Sequence, residues 1–533
     1  MQLDSEVAVH HEHNPNAQID SGGKETPSMP QLSPHLFSCS GHEGSCLLFF
    51  LILRKEGQAV EEVWSYPHTL EFVEAKYPMM TQFVFSSSGT SYSVEDLSHT
   101  FVLTDGHGVR VYGHCTVFVN GEAVVSLSPY PWCRFFTRLA LLFRTNGYEN
   151  GKKFVKALYG CPTPPSGGSF QTPSSILVLF QRPYDRLCPF IDTSPLDLLD
   201  IFSDTSTLFS VLADLLLEKH IIVVGPNFGI VSHVVMALQT LISPFDWMHI
   251  LIPILPTSLL EVLAAPPPYL VGILTSQLPL VAKVPIEQYV MIYLGSSGIC
   301  EGVHYHCEKK HTLPKSGAFS ALRIGYSTLK MRDSRGHTVC DLCSLFLTYY
   351  ASLLGDLGIG GTIIGTFSQH SDKDLSFYED LRSTQCFTTL VGAVREALAD
   401  ENNMWLDNEF IVALVRGHPC VYPHQYQQLI REENKGGGYA VRYEYCFGGR
   451  EEFTALSAAV HGFGGHRMGT GRLFCHCLRN MAYRLTHWTE ESRVTVTLED
   501  FGSSIGNGQY HSAPLGTPGE DEMHEIPNEN GAA

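Results

Sequence analysis

The chain has 533 residues, room for two or three domains that each bury a sizeable core. Its 54 acidic against 35 basic residues give a formal charge of −19, which disfavours a nucleic-acid backbone or an anionic membrane as the main direct partner. The 15 cysteines follow no regular spacing and Met1 opens no cationic-then-apolar leader, so a reducing, cytoplasmic setting without disulfides is expected rather than secretion.

Residues 1–44 are rich in His, Ser, Pro, Gly and Asn, a composition that cannot offset its own ordering entropy, and are expected to be a disordered tail. From Cys46 the character changes. Leu47–Leu53 is an apolar run, Gly57 permits a turn and Val60–Trp64 alternates, which predicts a hairpin. Phe101–Thr104, Val109–Phe118 and Ala123–Leu127, separated by turn signals at Asp105–Gly108 and Asn120-Gly121, read as an antiparallel meander. Residues 146–175 are rich in Gly, Pro and Ser and are expected to link two lobes.

Order resumes at Leu196–Phe202. Leu208, Val211, Leu212 and Leu215 fall at helical spacing after the cap candidates Asp204, Thr205 and Ser206, and this helix should end near Lys219. Ile221–Val224 is a β-branched run of the kind that a strand buried on both faces carries. A second helix, marked by Val231, Val234, Val235, Leu238 and Leu241, stops at Ser243-Pro244. Met248–Ile252 and Tyr269–Leu274 follow as strands, with a short helix between them whose Ser258 and Glu261 fit a capping box. Strands alternating with helices call for a parallel sheet, so the fold class expected here is α/β. Leu342–Leu354 and Asp374–Leu398 read as two further helical stretches.

The longest apolar candidates for a membrane span fail: Leu47–Leu53 is too short, and Ile250–Ile273 is broken by prolines between Pro253 and Pro268 and by Glu261. Several motifs mimic chemistry. Ser504 sits in a G-x-S-x-G pattern, but Asn507-Gly508 breaks any following helix and too little chain remains for an acid and a histidine. Cys340 and Cys343, with His304, His306, Cys307 and His311 upstream, have zinc-ligand types at loose spacing, and core cysteines are the preferred reading. Gly151-Lys152-Lys153 lacks the spacing and hydroxyl of a phosphate loop. No catalytic residue, cofactor or metal site of the chain's own is expected.

Three segments carry a resemblance. LLLEKHIIVVGPNFGIVSHVVMALQTLISPFDWMHILIPILPTSLLEVLAAPPPYLVGI, from Leu215, resembles the central segment of a DENN module, the family of exchange factors acting on Rab GTPases. FVLTDGHGVRVYGHC, from Phe101, and SPYPWCRFF, from Ser128, resemble the upstream segment, and LFLTYYASLLGDL together with LRSTQCF (Leu381–Phe387) resembles the downstream one. Their order along the chain is the family's order. Two departures mark a divergent member: Pro285–Leu294 is apolar where an acidic strand is usual, and Lys219-His220 replaces a pair of arginines.

The resemblance implies a longin-like antiparallel N-terminal lobe, residues 45–145, and a C-terminal lobe built of an α/β core, 176–300, and a helical region, 301–400. Residues 401–500 form an unassigned extension and 501–533 a second disordered tail. It further implies a guanine nucleotide exchange factor for a Rab-type small GTPase in vesicle trafficking, cytoplasmic or peripheral on vesicles and endosomes, with only indirect membrane association. GDP, GTP and magnesium would belong to the partner. Asp246, His249, Thr257, Ser258 and Glu261, polar residues at strand ends and in loops, are the candidate GTPase contacts, although Ser258 and Glu261 are also explained by capping. Two alternatives stay open: a DENN-fold scaffold without exchange activity, which could pair with a second DENN-fold protein, or a GTPase-activating component using Arg110, Arg182 or Arg186.

Overall fold

A computed structural model describes residues 45–57, 59–85, 97–104, 108–118, 120–145, 148–160, 163, 198–307, 309–314, 317–331, 339–357, 372–400 and 404–434. Both expected tails, the turn at Asp105–His107, Arg182, Arg186 and Ser504 lie outside them.

The first lobe contains β1 (Phe49–Glu56), β2 (Ala59–Tyr66), α1 (Leu70–Lys76), α2 (Met80–Val84), β3 (Leu97–Thr104), β4 (Arg110–Val117), β5 (Glu122–Ser128), α3 (Cys133–Thr145) and α4 (Tyr148–Gly160). All its strand pairs are antiparallel, in the order β2-β1-β5-β4-β3. The β1–β2 hairpin and the β3–β4–β5 meander are those expected. Gly57 and Gly121 turn them, with φ of 64° and 79° that side-chain-bearing residues avoid. The apolar run of β1 has a structural cause: Leu51 and Leu53 pack with α1 and α2 on one face, Phe50 and Ile52 with α3 and α4 on the other.

Helix α4 corrects the linker expected at 146–175. Phe154, Val155 and Leu158 share a helical face and are buried in the first lobe, and the Tyr148 hydroxyl donates to Glu122 on β5 at 2.7 Å. One glycine that suggested a linker, Gly151, serves packing: a Cβ there would collide with the Phe143 ring of α3.

The second lobe begins with α5 (Leu198–Ile201) and α6 (Thr205–Leu216), then runs β6 (Ile221–Gly225), α7 (Phe228–Ile242), β7 (Ile250–Ile252), a 3-10 segment (Thr257–Ala264), β8 (Tyr269–Leu274), α8 (Leu278–Val281), β9 (Tyr289–Leu294) and β10 (Cys300–His306). The sheet order is β10-β9-β6-β8-β7, parallel throughout except for β10. The three expected strands are therefore neighbours in one mainly parallel sheet, β7 being shorter than expected because Met248 and His249 remain in the preceding loop. Gly272 on β8 allows the chain after β7 to fold back, since a Cβ there would lie 2.0 Å from the Pro253 carbonyl oxygen. The apolar character of β9 follows from its place inside the sheet, between β6 and β10.

Helices α9 (Gly317–Met331), α10 (Val339–Leu357), α11 (Asp372–Arg382), α12 (Gln385–Ala399), α13 (Glu409–Gly417) and α14 (Pro423–Asn434) complete a core shared with α6 and α7. The single helical stretch expected over Asp374–Leu398 is two helices. Thr384 breaks it: its hydroxyl caps α12 by accepting the Phe387 N–H at 3.3 Å. Residues 404–434 of the unassigned extension pack into the same core, through Trp405, Phe410, Ile411 and Leu414. Among the described residues no helix is long and apolar enough to cross a membrane.

Candidate functional site

Between the lobes, edge strand β3 is covered by helix α7. The Thr100 N–H donates to the Ser232 hydroxyl at 3.3 Å, and a Cβ on Gly229 would lie 3.0 Å from the Ser98 carbonyl oxygen, so the helix backbone comes close against the strand. Covering an edge removes a free row of hydrogen-bonding groups. It also fixes which surfaces the two lobes share.

The five candidate residues separate to opposite ends of β7. Thr257, Ser258 and Glu261 lie beyond its C-terminal end, all exposed on the 3-10 segment. Here the expected capping box is absent: Pro256 occupies the cap position, no side chain caps the segment, and the Ser258 hydroxyl donates across the lobe boundary to the Gln82 side chain on α2. The segment begins at Thr257, so Ser258 lies inside it and not at the cap position from which a capping-box hydroxyl acts. Thr257 is positioned by buried Gln277, whose amide nitrogen donates to the Thr257 hydroxyl at 3.1 Å and to the Leu255 carbonyl at 3.0 Å, while its oxygen accepts the Leu274 N–H at 2.7 Å. Nothing in the sequence marks Gln277, because a glutamine after a strand reads as surface. Exposed Met79, one turn before Gln82 in a left-handed conformation (φ 68°), adds apolar area at the start of α2.

Asp246 and His249 precede β7 and belong to a different arrangement. Arg110, at the start of β4, donates through Nη2 to the Trp247 carbonyl and, at 2.9 Å, to the His249 carbonyl, while its Nη1 lies 4.0 Å from the Asp246 carboxylate. Tyr112 lies beside this group, its hydroxyl pushed up to about 12 by burial, which outweighs the attraction of Arg110. His249 Nε2 lies 3.0 Å from Glu218 Oε1, and both side chains are largely shielded from water. Glu218 then accepts the N–H groups of Gln385 at 3.0 Å and Cys386 at 2.8 Å, the first turn of α12. Burial pulls the Glu218 carboxyl upward, but the His249 ring beside it and the hydrogen bonds from the two amides outweigh it, holding the carboxyl below its ordinary range.

Of the arginines considered for reaching a nucleotide, Arg110 is thus committed to two backbone carbonyls. Three of the residues weighed as zinc ligands are engaged elsewhere: His311 Nδ1 lies 2.7 Å from Asp214 Oδ1, His306 stacks on Tyr289 and His304 packs against Tyr293. Asp214 is fully buried, and desolvation raises its carboxyl despite His311.

Residues 62–118 match the uDENN domain model and residues 121–297 the DENN (AEX-3) domain model. The chain is 28% identical over 223 residues to DENN domain-containing protein 2B of Homo sapiens, covering 39% of this chain and 19% of that protein. It is 25% identical over 313 residues to DENN domain-containing protein 2A of Homo sapiens, covering 52% and 30%. It is 24% identical over 395 residues to DENN domain-containing protein 2C of Mus musculus, covering 68% and 42%. In each case the chain spans less than half the length of the relative it matches. The adjoining uDENN and DENN matches, in that order, together with relatives that all bear the DENN name, make this chain a divergent member of the DENN-domain family.

Proposed function

We propose that the chain is a guanine nucleotide exchange factor for a Rab-type small GTPase, which docks on the surface shared by α2 and the 3-10 segment. The observation that carries this reading is the Ser258–Gln82 hydrogen bond, which brings the exposed residues Thr257, Ser258 and Glu261 next to α2, the helix that exposed Met79 precedes. Polar groups around an accessible apolar side chain suit a protein partner, and the surface follows the C-terminal ends of β7 and β8, where parallel sheets concentrate binding residues. The DENN-family membership of the chain supports the choice of partner.

Exchange breaks no covalent bond and needs no general base or nucleophile. The factor has only to bind the nucleotide-free GTPase more tightly than the loaded one, and by linkage the nucleotide is then bound more weakly by the same factor. Release of GDP is followed by entry of GTP and magnesium, both held by the GTPase.

The test is a panel of Rab GTPases loaded with fluorescent GDP. Addition of the chain is expected to speed GDP release by roughly tenfold or more for at least one of them. Glu261→Arg should abolish most of that gain while leaving the unfolding midpoint unchanged. Faster hydrolysis of bound GTP would instead indicate an activating role, and binding indifferent to nucleotide would indicate a scaffold. Either outcome, or no response across the panel, overturns the exchange reading.

A further inference from the structure

The contacts around residues 246–249 form a continuous path from the first lobe to the last helices. Arg110 grips the two carbonyls that flank Met248. Neither gripped residue can swing freely: Trp247 is fully buried with its Nε1–H donating to the Ile250 carbonyl at 3.0 Å, and the His249 ring packs edge-on against it, with centroids 5.5 Å apart. The same His249 meets Glu218, which holds two amides of α12. Glu218 has a left-handed backbone (φ 52°), a conformation that side-chain-bearing residues avoid and that persists where surrounding contacts enforce it.

We propose that residues 246–249 are a coupling loop through which the seating of the first lobe controls how firmly the first turn of α12 is held. Every bond in the path is to a backbone group or a shielded side chain, so displacement at one end is not absorbed by solvent-exposed rotamers. Arg110 draws the loop toward β4, and His249 keeps the Glu218 carboxylate aimed at Gln385 and Cys386. Coupling of this kind is reciprocal, so loosening α12 should loosen the seam at β4 equally. The proposal concerns the chain alone and stands or falls independently of any GTPase.

Hydrogen exchange on the full chain, without a partner, tests it. Arg110→Met is expected to speed exchange of the Gln385–Thr388 amides roughly tenfold, while the amides of β1 keep their native rates. Glu218→Gln should in turn speed exchange at Arg110–Tyr112. Should Arg110→Met fail to fold, the Glu218→Gln measurement decides alone. Exchange in α12 within about twofold of the native rate, or a uniform rise that includes β1, overturns the proposal, because the first shows no coupling and the second shows only general loss of stability.

Discussion

Trp247 concentrates several roles in one side chain. It is completely buried, its ring nitrogen is satisfied by the Ile250 carbonyl, and its own carbonyl is held by Arg110. Replacement by alanine leaves a large cavity that close-packed neighbours refill only in part, so Trp247→Ala is expected to cost about 3–5 kcal/mol in urea-induced unfolding. A loss below about 1 kcal/mol would mean that the site collapses around the smaller side chain. Burial of this tryptophan is legible in the sequence from its place between a proline-terminated helix and an apolar strand. The hydrogen bond from Arg110, far away in the chain, is not.

Among the elements, the ends of helices carry information that periodicity alone does not. Asp204 accepts the N–H groups of Ser206 at 3.0 Å and Thr207 at 3.2 Å, the arrangement expected from the Asp-Thr-Ser sequence ahead of α6. Asp204→Ala should lower stability by about 1 kcal/mol, measured as a shift in the denaturation midpoint at constant slope. Thr384 does the same for α12, and there the helix has a second acceptor in Glu218, supplied from the end of α6. The downstream Thr-Gln-Cys-Phe run therefore has a local meaning: the threonine caps, and the next two amides receive a carboxylate. Ser258 shows the opposite case, since a sequence pattern that fits a capping box is used instead for a contact between lobes.

Over the whole molecule, stability should depend on pH through histidines buried in the first lobe. His99 and His114 lie on adjacent strands, their Nε2 atoms each 3.0 Å from a backbone carbonyl oxygen, of Phe83 and Tyr130 respectively. Burial lowers both from the ordinary 6.5 to about 4, with the carbonyl contact opposing it. Because the folded value is depressed, the unfolded chain binds more protons between pH 6.5 and 4. Their stabilising contribution is present above 6.5 and is lost as pH falls towards 4, on the order of 3 kcal/mol for each ring. Partly buried His418, also lowered by desolvation, acts in the same direction, whereas Asp214, raised by desolvation, partly offsets them. Denaturant midpoints recorded from pH 7.5 to 5 should fall steadily, and replacing both His99 and His114 by Phe should flatten the decline. An equally steep decline in that double variant would assign the effect to other groups.

The set of local elements and the class of sheet are legible in the sequence alone. The β-branched run Ile221–Val224, the stripe of α7 and the hairpin around Gly57 depend on residues within a turn or a strand of one another, so their periodicity and turn chemistry were readable. The wording of the central segment carried the family. The tertiary structure alone decided that α4 belongs to the first lobe, that Thr257, Ser258 and Glu261 part company with Asp246 and His249, and that Arg110 and Glu218 meet the same loop. These outcomes rest on contacts such as Ser258 to Gln82 and Arg110 to Trp247, between residues more than a hundred positions apart. A side chain that can satisfy its hydrogen bond either within its own turn or across a lobe boundary carries no mark of the choice. The packing of the two lobes, through β3 against α7 and through Ile252 and Leu259 against the core of the first lobe, brings the distant partner within reach.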